Sequence, residues 1–218
     1  MLQALTKHKI SHDIRNQIWN LEDAKTSAII GEMLHLPTDL FWEILLNATD
    51  SSDKLSNHLP SVGESGEITN YDFWPYWRLK DKVEPDVFVS FEKFDLIIEV
   101  KVHDYNQQKS WQWKREIEAY KKQYSSDGKP IYLIAISGKT GETLENVFQC
   151  SWQSLLESVI DTRQNYKNSH PSDNVCRILD DIVLAFSFHK EYAFKYFDSV
   201  SLEDSHIQKD YLFPSITL

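Results

Sequence analysis

Three ionisable residues lie among apolar residues in the middle of the chain, at spacings that suit metal-assisted chemistry. Asp86 follows Pro85 and opens the run Val-Phe-Val-Ser-Phe, whereas Glu99 and Lys101 lie in the run Leu-Ile-Ile-Glu-Val-Lys-Val. Burying an ionised side chain is costly unless it is paired or binds a cation. These three residues therefore need a chemical explanation.

Strand geometry predicts that the three side chains meet. Residues two apart on a strand share a face, so Glu99 and Lys101 lie on one face, about 6.6 Å apart along the strand. Val100 and its alternate neighbours then point to the opposite face, into a core. Asp86 begins the preceding strand, and a short turn at residues 92–93 pairs the two strands. This pairing places Asp86 beside Glu99.

Such a meeting point offers hard oxygen ligands. The carboxylates of Asp86 and Glu99, with the backbone carbonyl of Val100, form a set that suits Mg²⁺, with Mn²⁺ as a substitute. A bound metal lowers the pKa of water and stabilises a phosphorane-like transition state. Lys101 would orient that water or offset charge on a phosphate. The pattern therefore predicts hydrolysis of a phosphodiester bond.

The helix predicted over residues 107–124 adds polar groups at four-residue steps. Gln112, Glu116 and Tyr120 follow one stripe of this helix. If the stripe packs against the site, Gln112 orients the attacking water or a ligand, and Glu116 supports Lys101 or a second metal. Alternatively, Glu116 lies on a solvated helix edge.

The charge of the chain is uneven. The formal net charge is −10, which by itself argues against general nucleic-acid binding. Residues 101–124 are nevertheless locally basic, and we assign candidate phosphate contacts to Lys109, Lys114 and Arg115. The same pattern is also typical of an ordinary solvated helix face.

Periodicity and turn signals predict a mixed α/β order of elements. Helices are expected over residues 11–34, 40–48, 107–124, 151–160 and 175–197, strands over 71–79, 87–91, 94–102, 131–136 and 148–150, and loops over 50–66 and 164–173. This order predicts one domain over residues 1–218, with a central mixed sheet flanked by helices on both faces.

Composition excludes several other classes of protein. Apolar residues make up 41% of the chain, which favours a packed core over disorder. No apolar run is long enough for a transmembrane helix, and residues 1–10 lack the apolar stretch of a secretion signal. Cys150 and Cys176 form no CxxC motif and indicate no disulfide framework, so a cytoplasmic location is expected.

The motif order resembles that of the PD-(D/E)XK nuclease superfamily. The features that match are Pro85-Asp86, then Glu99-Val100-Lys101 on the next strand, and then Gln112 on the following helix. Residues 24–46 resemble the opening helices of that family, and residues 151–156 with Asp180-Asp181 resemble a poorly characterised bacterial branch. The resemblance covers about residues 20–195.

The resemblance implies a restriction-endonuclease-like three-layer fold and a magnesium-dependent deoxyribonuclease. It also implies a metal-binding glutamate on the first helix, for which Glu32 is the best match and Glu43 the second. Several members of that branch are linked to phage defence, and DNA repair is a further role expected of such an enzyme. A homodimer is a common state for soluble oligomers.

Two other functions remain open from the sequence. The first is a catalytically silent module that binds nucleic acid or acts as a scaffold on the same fold. The second is a structural or small-molecule-binding α/β domain in which Glu99 and Lys101 form only an ion pair.

Overall fold

The computed structural model describes residues 17–18, 21–49, 58–103, 108–124, 128–138, 140–169 and 174–193. The helices are α1 (Glu22–Met33), α2 (Thr38–Ala48), α3 (Val62–Ser65), α4 (Ser110–Gln123), α5 (Trp152–Ser169) and α6 (Asn174–Phe188). The strands are β1 (Ile68–Phe73), β2 (Trp77–Arg78), β3 (Lys82–Val83), β4 (Val87–Phe91), β5 (Asp95–Val100), β6 (Ile131–Ile136) and β7 (Val147–Cys150).

Five of the strands form one mixed sheet in the order β1-β4-β5-β6-β7. The β1–β4 and β4–β5 pairs are antiparallel, whereas β5–β6 and β6–β7 are parallel. Helix α4 connects the parallel strands β5 and β6, as a parallel crossover requires. Strands β2 and β3 form a separate two-stranded sheet. The predicted α/β class and mixed sheet are confirmed.

Alternating side chains of the central strands supply two cores. Leu96, Ile98 and Val100 of β5 face a core built with α1, α2, α5 and α6. Ile97 faces the opposite core, which contains Trp113 and Tyr120 of α4. Helices therefore cover both faces of the sheet, and β5 is buried along its whole length. The prediction that Val100 points into a core is confirmed.

The predicted strand over residues 71–79 is wrong in its extent. Strand β1 begins at Ile68 and ends at Phe73, and Trp77 begins the separate strand β2. Trp74 has a positive φ of 51°, and Pro75 has no N–H to donate. These two residues turn the chain out of the large sheet.

Several helix boundaries in the structure also differ from the predicted ones. The first helix ends at Met33, and residues 11–16 of its prediction lie outside the described residues. Helix α5 continues to Ser169, through part of the predicted loop over residues 164–173. Helix α6 ends at Phe188, and residues 194–197 of its prediction lie outside the described residues.

One short helix, α3, lies in the segment predicted as a loop over residues 50–66. The polar composition of this segment did not predict it. Ser61 and Glu64 form a capping box around α3, in which the Glu64 carboxylate accepts the Ser61 backbone N–H at 2.8 Å. Residues 50–57 of that predicted loop lie outside the described residues. Within the described part of the chain, no helix is both long and apolar enough to span a membrane.

The turn from α3 into β1 provides a matched pair of glycine substitutions. Gly66 has a φ of +65°, and a Cβ there would lie 2.8 Å from the Cβ of Glu92. We expect Gly66→Ala to lower the free energy of unfolding by about 1–3 kcal/mol. Gly63→Ala, where a Cβ meets no atom within 4 Å, should raise it by about 0.5–1 kcal/mol. Urea unfolding of both variants measures this, and equal effects would contradict it.

Candidate active site

Asp86 lies where β4 begins, opposite the end of β5. Val87 pairs with Ile98, so the next antiparallel position places Asp86 across from Glu99. The Oδ2 atom of Asp86 accepts the backbone N–H of Val100 at 2.7 Å. Only 8% of Asp86 is exposed. The strand pairing thus brings together the two carboxylates that the sequence singled out.

Glu99 receives two side-chain donors at one oxygen. Its Oε1 atom accepts Lys101 Nζ at 2.9 Å and Gln112 Nε2 at 2.5 Å. Lys101 Nζ also donates to the carbonyl oxygen of Val100 at 2.9 Å. The predicted group of Asp86, Glu99, Lys101 and Gln112 therefore forms a single cluster.

Glu116 extends this cluster through Gln112. Gln112 Nε2 also donates to Glu116 Oε1 at 3.0 Å. Glu116 is 2% exposed, so the expectation that it lies on a solvated helix edge is wrong. Its Oε2 atom is buried without a hydrogen-bond partner among the described residues.

Tyr120 does not share the site with Gln112 and Glu116. Its hydroxyl donates to Asp95 Oδ2 at 2.6 Å, at the opposite end of β5. Eight residues of helix span about 12 Å, so the predicted stripe reaches both ends of the strand.

The glutamate that α1 contributes is Glu22. Its Oε1 atom lies 3.6 Å from Lys101 Nζ. Glu32, the predicted metal ligand, lies ten residues further along α1, about 15 Å away, and its carboxylate is 3.9 Å from His35 Nδ1. Glu43, the second choice, lies on α2 and is partly exposed. The helix was predicted correctly, but Glu22 replaces Glu32 beside the cluster.

Two residues that the sequence did not single out hold the backbone of β5 and of the residues after it. Gln108 donates from Nε2 to the Glu99 carbonyl at 3.3 Å and accepts Trp113 Nε1 at 3.1 Å. Trp152 donates from Nε1 to the Lys101 carbonyl at 2.8 Å. Trp152 is 51 residues from Lys101, and Gln108 acts on a backbone carbonyl, so no side-chain pattern reveals either contact.

Lys25 forms a third support. This lysine is 1% exposed, and its Nζ atom donates to the Val102 carbonyl at 3.0 Å and to Glu191 Oε1 at 2.5 Å. The same atom lies 4.4 Å from the centre of the Trp152 ring. The buried charge is therefore satisfied next to the segment that carries Lys101.

The predicted phosphate contacts differ in exposure. Lys109 and Lys114 are exposed, whereas Arg115 is partly buried and donates to the Lys82 carbonyl at 3.0 Å. Arg115 thereby ties α4 to the two-stranded sheet.

Burial shifts the titration of the cluster. Burial first, and the charge of Glu99 second, raise the pKa of Asp86 to about 8. Burial also raises the pKa of Glu99, although Lys101 and Gln112 partly oppose it, and raises the pKa of Glu116 well above its usual range. Burial tends to lower the pKa of Lys101, but Glu99 and the other nearby carboxylates outweigh it, so this pKa is raised.

The donor set fits a hard divalent cation in its chemistry. Asp86, Glu99 and the Val100 carbonyl offer oxygen atoms only, and a cation would offset the burial and the mutual repulsion that raise the carboxylate pKa values. No group of three or more His, Cys, Asp or Glu side chains in the described ranges is arranged to hold a metal. The predicted set contains three such side chains, Asp86, Glu99 and Glu32, together with the Val100 carbonyl. Glu32 lies about 15 Å along α1 from the glutamate beside the cluster, so only two of the three come together.

No family model, curated protein or solved structure matches this chain.

Asp86→Asn tests the buried carboxylate directly. The folded pKa of Asp86 is about 8 and its unfolded value about 3.8, so the folded state binds more protons between these pH values. The free energy of unfolding should therefore fall as the pH rises from about 4 to about 8. Asn cannot ionise and still accepts the Val100 N–H, so the variant should be more stable by on the order of a few kcal/mol at pH 8.

The measurement is urea unfolding in EDTA at several pH values. The difference between Asp86→Asn and the parent should become small near pH 4, where Asp86 is neutral in the folded protein and only about half ionised in the unfolded chain. Asp72→Asn, an exposed change on β1, controls for the loss of one charge. A destabilised Asp86→Asn at pH 8 would instead indicate a structural ion pair.

Proposed function

We propose that this protein is a metal-dependent nuclease that hydrolyses phosphodiester bonds, most of all in DNA. The observation that supports this proposal is the pair of buried carboxylates, Asp86 and Glu99, at adjacent strand ends with Lys101 on the Glu99 oxygen. Acidic side chains are rarely buried unless they are paired or hold a cation. Here Lys101 donates to Glu99, whereas Asp86 accepts the Val100 N–H.

In this proposal Asp86, Glu99 and the Val100 carbonyl hold Mg²⁺, and Mn²⁺ can replace it. Bound there, the metal would supply a Lewis acid and a water of lowered pKa. Glu22 and the Lys101 ammonium flank the position, 3.6 Å from each other. The Glu22 side chain is 34% exposed and the Lys101 side chain is 19% exposed, so solvent reaches this position.

Lys101 and Gln112 have separate roles. The Lys101 ammonium keeps its charge, because the carboxylates around it raise its pKa. It therefore places positive charge beside the phosphate as negative charge develops in the transition state. Gln112 donates from its amide nitrogen to Glu99 and Glu116, and in this proposal its amide oxygen accepts a hydrogen bond from the water and orients it.

The sheet supports a restriction-endonuclease-like fold as part of this proposal. An antiparallel pair, β4 and β5, carries the Asp and the Glu-x-Lys residues, and α4 crosses over to the parallel strand β6. Helices lie on both faces. This arrangement matches what the resemblance implied for the motif-bearing strands.

One observation favours a second candidate, a catalytically silent nucleic-acid-binding or scaffolding module. Lys101 Nζ already donates to both the Glu99 carboxylate and the Val100 carbonyl. This ion pair satisfies two of the proposed ligands without a metal. A silent module would bind DNA without cleaving it in Mg²⁺ or Mn²⁺.

Lys101→Ala separates the two candidates. We expect it to lower the rate of DNA cleavage by about 100-fold or more, because it removes a charge that stabilises the transition state. Cleavage of circular, linear and single-stranded DNA should be followed in Mg²⁺, in Mn²⁺ and in EDTA. Lys121→Ala, an exposed lysine on α4, is the control and should cleave like the parent.

Thermal unfolding of both variants checks that the fold persists. An unchanged cleavage rate in a folded Lys101→Ala protein would refute the catalytic role. DNA binding without any cleavage by the parent protein would favour the silent module.

A further inference from the structure

A cavity of about 300 Å³ lies between β3 and α4, beside the candidate active site. Lys82 and Glu84 line one side, and Trp111, Gln112, Arg115 and Glu116 of α4 line the other. Gln112 and Glu116 also belong to the cluster around Glu99. The cavity and the candidate active site therefore share a wall, which we call the Gln112–Glu116 wall. The volume of the cavity is at the lower end of the range for sites that bind small organic molecules.

The Gln112–Glu116 wall contains an unused polar atom. Glu116 is 2% exposed, and its Oε2 atom has no hydrogen-bond partner within the described part of the chain. A buried polar atom without a partner is costly, and native proteins leave few of them. Because this atom is itself buried, a ligand in the cavity that offers a hydrogen bond would satisfy it after a small shift of the Glu116 side chain.

An exposed aromatic side chain lines the same cavity. Trp111, in the first turn of α4, is 59% exposed, although most tryptophan side chains are largely buried. Tyr76 is 55% exposed, and Lys82 Nζ lies 5.6 Å from the centre of its ring. The exposed Trp111 indole offers a surface on which a flat ligand can stack.

Cations complete the lining. Lys82 pairs with the Glu84 carboxylate, and Arg115 lies 3.8 Å from Asp81. Asp81 and Glu84 are 84% and 39% exposed. Exposed partners of this kind contribute little stability, so a phosphate can replace them. The cavity thus offers a stacking face, a buried acceptor and two cations.

We propose that this cavity binds an unpaired nucleotide of the substrate strand, with its base on Trp111 and its phosphate between Lys82 and Arg115. The edge of the base would hydrogen-bond to Glu116 Oε2. The assignment rests on the proposed function, because the neighbouring phosphate would be the one cleaved. It adds a substrate class, which is single-stranded DNA or an unpaired end.

Duplex DNA does not satisfy this site. A paired base has both faces stacked and its Watson–Crick edge occupied, so it must leave the helix to reach Trp111 and Glu116. Stacking of a base on an aromatic side chain tolerates any sequence. The cavity therefore selects for unpaired strands more than for a particular base.

Trp111→Ala is the direct test. Binding of a short fluorescein-labelled single-stranded oligonucleotide and of a blunt hairpin duplex is measured by anisotropy in EDTA, at one fixed salt concentration. The affinity for the single strand should fall by about fivefold or more, and the affinity for the duplex should be unchanged. Trp111→Phe should retain most of the single-strand affinity. Tyr71→Ala, which removes an exposed aromatic from β1, should change neither.

Glu116→Gln tests whether the edge of the base forms a hydrogen bond to the side chain at position 116. It preserves an oxygen for Gln112 but changes the donor and acceptor pattern that faces the cavity. The relative affinities for the four homopolymer oligonucleotides should change, whereas Trp111→Ala should lower all four. Unchanged ratios would remove Glu116 from the nucleotide site.

Two results would overturn the proposal itself. One is a Trp111→Ala protein that binds the single strand as tightly as Tyr71→Ala does. The other is an equal loss of affinity for single strand and duplex. Failure of the nuclease function is a different result, because it would show Trp111-dependent binding of the single strand without cleavage in Mg²⁺ or Mn²⁺.

Discussion

The burial of two carboxylates at one corner of the sheet constrains everything around them. Asp86 and Glu99 are removed from water where β4 begins and β5 ends, and both have raised pKa values. The Val100 N–H, the Lys101 amine and the Gln112 amide only partly compensate for the lost hydration. Such a corner is less stable than an apolar one of similar volume would be. The large apolar core around this corner stabilises the fold enough to offset the unfavourable free energy of burying the two carboxylates.

The supports of this corner come from widely separated parts of the chain. Helix α1 brings Glu22 and Lys25, α4 brings Gln112, and α5 brings Trp152. Each support acts on β5 or on the two residues after it. Strand β5 and the residues after it are therefore fixed by side chains as well as by the neighbouring strands, which is how precise sites are generally held.

The clustering of Asp86, Glu99 and Lys101 was predictable from sequence because its signal is local. A strand alternates its side chains, so Glu99 and Lys101 had to share a face, and Asp86 had to lie on the neighbouring strand. The supports were not predictable. Glu22 and Glu32 are equally plausible on a helix of unknown rotation, and Gln108 and Trp152 act through backbone carbonyls that no side-chain pattern encodes. The end of β1 was missed because aromatic composition continues past Pro75, although the strand does not.

The contact between Lys25 and Glu191 has a consequence for the order in which parts of the chain can fold. These residues are 166 positions apart, and the lysine is fully enclosed beside the backbone after Lys101. During synthesis from the ribosome, α1 and β5 emerge long before residue 191 does. Until then the ammonium lacks its carboxylate, and a buried charge without its counter-ion is strongly unfavourable. The corner beside Lys101 therefore closes late in translation, only after residue 191 has been synthesised.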